Sequence, residues 1–435
     1  MTDRNEPSQR PLIDPALLRG LTQRRVSRRD MFRYTGVGLG AAGLASFLAA
    51  CGVKGSGKSS TPSVGASDLK QIYDDGKPAG QLNFANWPDY IDINAKGDSP
   101  SLQQFTKETG IKVTYKTPIN DNQPFLAKII PVLQAGEDTG YDLMVLTNGG
   151  GIEPMLKLGF LTPIDHQYLP NWKKYADPKT LDPVYDPGNR YTVAWQSGFT
   201  GLGYNSKLVK TPPTSFNDLL DPDYLQAAGV PKDAVGLFGN DQDLPCPALT
   251  AMGLDPNTAT PDQWKQAADK VTKARGDGFI RKFYDQSYID ALENGDILVT
   301  QAWSGDIFIA AEPEANGGDG FPEMKFAFPK EGPIYWHDNM CIPLHAQHPV
   351  DAITYMNYVY DPKVAGKMTD FIWYVSPVPA AQKYVADVLK DPAVADSPLV
   401  FPSTQDLAQA KQYKVFKDQA EQDEWDGVWT PVYSS

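Results

Sequence analysis

An α/β chain of two lobes is the architecture this sequence predicts, and three observations predict it. Its 435 residues exceed what one small core needs, so the chain can bury a sizeable interior and divide in two. Hydrophobic residues make up 41% and aromatics 11%, which excludes disorder for most of the chain. Beyond residue 80, short apolar runs alternate with longer helical patterns. Such β-α-β-α order predicts a mostly parallel sheet, with helices on its faces and the loops of interest at the strand C-termini.

Residues 1–50 read as an address. Ser27-Arg28-Arg29-Asp30-Met31-Phe32-Arg33 precedes an uncharged run from Tyr34, which closes on Leu48-Ala49-Ala50-Cys51. These are the charged, apolar and small-residue parts of an export signal. The first motif resembles a twin-arginine signal, with Arg28 and Arg29 as its pair. The last resembles a bacterial lipobox, which implies that Cys51 is acylated and becomes the mature N-terminus. A retained membrane span needs about 20 strongly apolar residues; this run is short and carries Gly36, Gly38, Gly40 and Gly43.

From Cys51 to about Ser67 the composition is that of a flexible tether, and residues 51–79 are assigned to it as a unit. Gly52-Val53-Lys54-Gly55-Ser56-Gly57-Lys58-Ser59 satisfies a phosphate-loop pattern. That loop works only between a buried strand and a helix, and neither flank is present, so the match is a coincidence.

The body then reads as strands and helices. Gln81-Leu82-Asn83-Phe84-Ala85-Asn86 is a strand, 101–110 a helix closed by Gly110, 111–115 a strand, 125–135 a helix, and 141–146 a strand. A helix over 152–158 follows, with Gly159 as its C-cap. Further on, 191–204 is extended, 235–238 a strand, 260–275 a helix, 297–303 a buried strand and 326–329 another. This repetition of the same logic makes a second α/β lobe the simplest reading. The segment 421–429, with alternating acids and two Trp, reads as a solvated terminal helix covering the second lobe.

The net charge of −13 hides an asymmetry: eight Arg against four acids make residues 1–50 +4 and leave −17 for the rest. An acidic body without a cationic face excludes nucleic-acid binding and suits a cationic ligand. Three cysteines cannot build a disulfide scaffold; Cys246 and Cys341 could pair after export, but a bond tying the lobes would oppose hinge closure, which favours free thiols. The four histidines, including His337, His345 and His348, lack a metal-ligand spacing, so neither a metal nor a cofactor is expected.

Several stretches in order carry a likeness. They are Asn86-Trp87-Pro88-Asp89-Tyr90, the strand-turn from Tyr141 to Gly149, Phe199-Thr200-Gly201-Leu202-Gly203-Tyr204-Asn205, Ala302-Trp303-Ser304-Gly305-Asp306, the run from Pro329 to Asp338, and Trp373-Tyr374-Val375-Ser376-Pro377. Over about residues 80 to 390 the chain resembles the spermidine/putrescine-binding proteins of ABC transporters. The resemblance implies a two-lobed, type II-like periplasmic-binding-protein fold, each lobe a mixed sheet flanked by helices, with the ligand in the cleft between them. Crossings near Tyr204, Trp336 to Asp338 and Tyr384 would put 80–204 plus 338–384 in lobe one and 205–337 plus 385–435 in lobe two. It also implies a monomer that hands a polyamine to permease subunits from the outer face of the cytoplasmic membrane, with no catalysis.

By the same likeness, Trp87, Trp303, Trp336 and Tyr374 occupy wall positions and Asp89, Asp306 and Asp338 acidic ones, with Tyr90 and Thr147 beside them. Asp243 falls where the family places an acid on an amine. Asn240 stands in place of a second acid, and Gly149 in place of an aromatic. The chemistry agrees: an ammonium needs a carboxylate, its methylenes need apolar walls, and aromatic faces serve both. The bland reading of each Trp is core packing, and of Asp89 and Asp306 a turn or helix cap. Two other functions fit the same residue types: a binder of sugars or another organic cation on this scaffold, or an exported hydrolase using paired carboxylates.

Overall fold

A computed structural model describes residues 66–73, 77–88, 90–94, 96–119, 121–311 and 320–434. The signal with Arg28 and Arg29, the lipobox Cys51 and the acid Asp89 lie outside the described residues. The tether does not extend to residue 79, because Ala66–Tyr73 forms helix α1. Tyr73 is buried there, packs its ring on Tyr168 at 5.6 Å and donates its hydroxyl to Pro163 O at 2.9 Å. An aromatic anchored in this way fixes a segment whose polar neighbours gave no sign of it.

Strand β1 (Gln81–Ala85), helix α2 (Pro100–Thr109), β2 (Lys112–Lys116), α3 (Asn122–Gln134), β3 (Leu143–Thr147) and α4 (Ile152–Leu158) follow in the expected order. Local chemistry sets the helix ends. Ser99 accepts from Leu102 N to open α2, and Gly110, at φ 79°, closes it in the left-handed region that glycine adopts without strain. Gly159 closes α4 in the same way. The short β4 (Leu161–Thr162) leads towards β5 (Thr192–Asn205), a strand buried along nearly its whole length.

The second half repeats the pattern with β6 (Val235–Phe238), α5 (Pro245–Thr250), α6 (Pro261–Gly276), β7 (Ile280–Tyr284), β8 (Val299–Trp303), α7 (Ser304–Ala311) and β9 (Met324–Ala327). Thr260 and Gln263 cap the start of α6 reciprocally. β10 (Ile334–Pro343) then returns through the middle, β11 (Lys411–Gln412) pairs with its beginning, and α8 (Gln419–Tyr433) ends the chain.

Among the described residues the sheet runs β2-β1-β3-β10-β5-β8-β6-β7, with β4 and β11 on β10 and β9 on β5. Its outer groups are parallel: β1 with β2 and β3, and β6 with β7 and β8. The centre is not. β10 runs antiparallel to β3 and β5, and β5 antiparallel to β8 and β9. The sheet is therefore mixed, as the family likeness implies, and not mostly parallel as element order alone suggests. The physical reason lies in β5 and β10, long strands that join the two groups: β10 pairs with β3 of one, β5 with β8 of the other, and the two pair with each other. Thr200 of β5 pairs with Ile334 of β10 and also with Trp303 of β8, so the strand changes neighbours at that residue.

Helix α8 packs on α6, with Trp425 edge-on to Trp264 at 5.1 Å. Trp425 and Trp429 are fully buried, so the helix covers α6 through its two Trp and is solvated on its other face.

Candidate functional site

The parallel groups aim the ends of β1, β3, β6 and β8 at the central strands, and three carboxylates collect there. Asp338 lies within β10, opposite Thr147 of β3 and Gln196 of β5. A register shift against β5 follows it immediately, the kind of bulge that re-aims a side chain. Its Oδ1 accepts from Thr147 Oγ1 and its Oδ2 from Tyr90 OH, both at 2.6 Å. Burial raises the Asp338 carboxyl to about 6 against the pull of those two hydroxyls, and the charge of Asp243 pushes it further up.

Asp306 stands in the first turn of α7, where a negative charge meets the helix dipole favourably. Tyr374 OH donates to its Oδ1 at 2.9 Å and Tyr288 OH to its Oδ2 at 3.3 Å, while the Tyr288 oxygen accepts from Trp303 N at 3.1 Å.

Asp243 sits just past β6, immediately before α5. Its Oδ1 accepts from Thr200 Oγ1 and from Tyr413 OH, each at 2.5 Å, and its Oδ2 from Asn240 Nδ2 at 3.0 Å. Burial raises its pKa, opposed by these donors and by the Trp303 side chain. Asn240 thus serves as a donor that holds the Asp243 carboxylate.

Aromatic rings join the three acids. Tyr90 meets Tyr374 edge-on at 5.7 Å, and Tyr374 lies 5.7 Å from Trp336, whose indole N–H donates to Thr200 Oγ1 at 3.2 Å. Trp303 stacks on Phe238 at 4.6 Å. Two glycines make this possible. A Cβ on Gly198 would lie 2.5 Å from the Trp336 ring, and one on Gly305 would lie 2.4 Å from Tyr374, so only glycine lets the rings approach the backbone.

The structure thus brings together eight residues singled out in the sequence: Tyr90, Thr147, Asp243, Trp303, Asp306, Trp336, Asp338 and Tyr374. Trp87 stands at the end of β1 with its indole N–H committed to Val145 O at 3.1 Å rather than to an acid. Sequence reasoning missed Thr200, Tyr288 and Tyr413. Tyr413 lies 170 positions from Asp243, and no local pattern marks such a partner. A glycine within a strand was the available signal for Gly198.

His337, beside Asp338, meets Ser197 Oγ through Nδ1 at 2.7 Å, and burial lowers it to about 4. It is therefore neutral at physiological pH and adds no positive charge beside Asp338. His348 Nδ1 lies 2.9 Å from Asp142 Oδ2. Cys246 and Cys341 are both buried and free. Desolvated carboxylates among aromatic faces form a site complementary to a cation with apolar parts.

The mixed sheet with two crossing strands and acids at its centre defines a two-lobed solute-binding protein. Residues 101–428 match the bacterial extracellular solute-binding protein family, and the chain belongs to it. It is 31% identical over 323 residues to the putrescine-binding periplasmic protein of Escherichia coli, covering 72% of this chain and 82% of that one. It is 32% identical over 298 residues to spermidine/putrescine-binding periplasmic protein 1 of Haemophilus influenzae, covering 68% and 77%. The fold is similar to that of a spermidine/putrescine ABC transporter substrate-binding protein from Streptococcus pneumoniae, at a TM-score of 0.65 and 23% identity over 81% of this chain and 98% of the other. A lipoprotein of Treponema pallidum matches at 0.65 and 20%, over 82% and 100%. Among the described residues, no helix is long and apolar enough to cross a membrane.

Proposed function

We propose that this protein captures a polyamine such as putrescine or spermidine outside the cytoplasm and delivers it to the permease subunits of an ABC transporter, without catalysis. The observation that carries this reading is Asp338: a buried carboxylate accepting from Tyr90 and Thr147 and walled by aromatics. An ammonium pairs with it, and its methylenes lie against Trp336 and Tyr374. The names of the relatives, binders of putrescine or spermidine, support the same ligand class.

The lobes of this reading are 80–204 plus 338–384 and 205–337 plus 385–435, and the change of neighbours along β5 supports a crossing within that strand. The protein acts as a monomer, reaches the outer face of the cytoplasmic membrane by the twin-arginine route and is held there by a lipid on Cys51. Titration calorimetry with putrescine, spermidine, an oligosaccharide and an amino acid tests the ligand class. Saturable heat with the amines alone, and no hydrolysis of the oligosaccharide, is expected. Binding of the sugar but not the amines would refute it.

A further inference from the structure

The Asp243 end of the site differs from the Asp338 end in one respect that bears on ligand length. A carboxylate offers about four acceptor positions. Asp338 accepts one hydroxyl on each oxygen. At Asp243, Thr200 and Tyr413 fill Oδ1, Asn240 engages Oδ2, and the Trp303 side chain acts on the same carboxyl. Its capacity is therefore committed within the protein.

Tyr413 is a built part of this end. It follows β11, which is paired to Ile334 and Tyr335 of β10. Its carbonyl accepts from Asn257 Nδ2 at 3.0 Å, and the next amide, Lys414 N, donates to Gln242 Oε1 at 3.0 Å. The backbone is thus clamped on both sides of the ring, which is only 4% exposed. Gly149, at φ 86°, makes room for it: a Cβ there would lie 3.0 Å from Gln242 Cγ and 3.2 Å from Tyr413 Cδ2. The space that a side chain after β3 would fill is taken instead by a ring from the C-terminal segment.

We infer that Tyr413 is a specificity-determining residue that closes the Asp243 end of the site and selects a short diamine over a longer triamine. This rests on the polyamine reading above and narrows it. A diamine places its ammoniums at Asp338 and Asp306. A triamine carries a third charge, which needs a third anion with acceptor positions to spare, and at Asp243 it must displace the Tyr413 hydroxyl.

The test is calorimetry of putrescine and spermidine with the parent, Tyr413→Phe and Tyr413→Ala. The parent is expected to prefer putrescine by about tenfold or more, the scale of one charge-assisted hydrogen bond. Tyr413→Phe keeps the packing but frees a lone pair of Asp243, and the preference should shrink by about tenfold, with a larger shift in Tyr413→Ala. Should the Ala variant fail to fold, the Phe variant decides. A parent that prefers spermidine, or an unchanged preference in Tyr413→Phe when both amines bind, overturns this inference and leaves the polyamine reading standing. A parent that binds neither amine overturns both.

Discussion

Replacing Asp338 by Asn removes a charge from the centre of the site while keeping its shape. The variant amide can still engage both neighbours, since the hydroxyls of Thr147 and Tyr90 rotate to donate to its oxygen or accept from its nitrogen. What is lost is the anion facing a desolvated ammonium. Truncating one partner of a buried charged pair costs about 2–5 kcal/mol, so Kd for putrescine should rise roughly 30-fold or more. The parent carries a second signature of the same group. Burial holds the free Asp338 carboxyl at about 6, and a bound ammonium favours its charged form and lowers that pKa. Affinity is then full above about pH 7 and weakens by up to about tenfold per pH unit below 6, as protons compete with the ligand. Asp338→Asn should lack this component. Calorimetry at pH 7.5 and 5.5 on both proteins reads both effects. If Asp338→Asn and Asp306→Asn each bind putrescine and spermidine as the parent does, the cation site is misplaced; a flat pH profile in the parent would remove Asp338 from the contact.

Gly198→Ala places a methyl 2.5 Å from the Trp336 ring and should lower stability by about 1–3 kcal/mol while weakening amine binding; thermal melts and titration with parent-like values would contradict the close-approach role. Buried Glu153 is raised to about 8 and Asp241 to about 7, above ordinary values of 4.5 and 3.8. The folded state therefore binds protons more tightly than the unfolded state, so the melting temperature should rise as pH falls from 8.5 to 6, and Glu153→Gln should flatten that slope. His337, lowered to about 4, acts in the opposite sense as pH falls from about 6.5 towards 4. Changing Arg28 and Arg29 to Lys should block export, and Cys51→Ser should release the protein from the membrane fraction; unchanged fractionation of the latter would argue against acylation.

Much of the framework was legible because it rests on short-range rules. Gly110 and Gly159 end helices through a left-handed conformation that glycine adopts freely, and Thr260 caps α6 through a bond three residues away. Asp306, Asp338, Trp303 and Trp336 could be singled out because each stands in a motif whose order along the chain carries the family likeness. Trp87 stands in the first of those motifs, and its indole N–H donates to Val145 O of the neighbouring strand, a partner that no motif encodes.

The sequence by itself determined the alternation of strands and helices, their caps, the acidic charge of the body and the residue types of a cation site, since all of these depend on neighbours a few positions apart or on composition. Tertiary structure alone decided the antiparallel centre of the sheet, the burial of Trp425 and Trp429 against α6, and the closing of Asp243 by Tyr413. Each depends on which distant segments share a strand edge or a cavity. Tyr413 meets Asp243 because β11 pairs with the start of β10 and Gly149 leaves space for a ring, and these long-range pairings carry no periodicity along the chain.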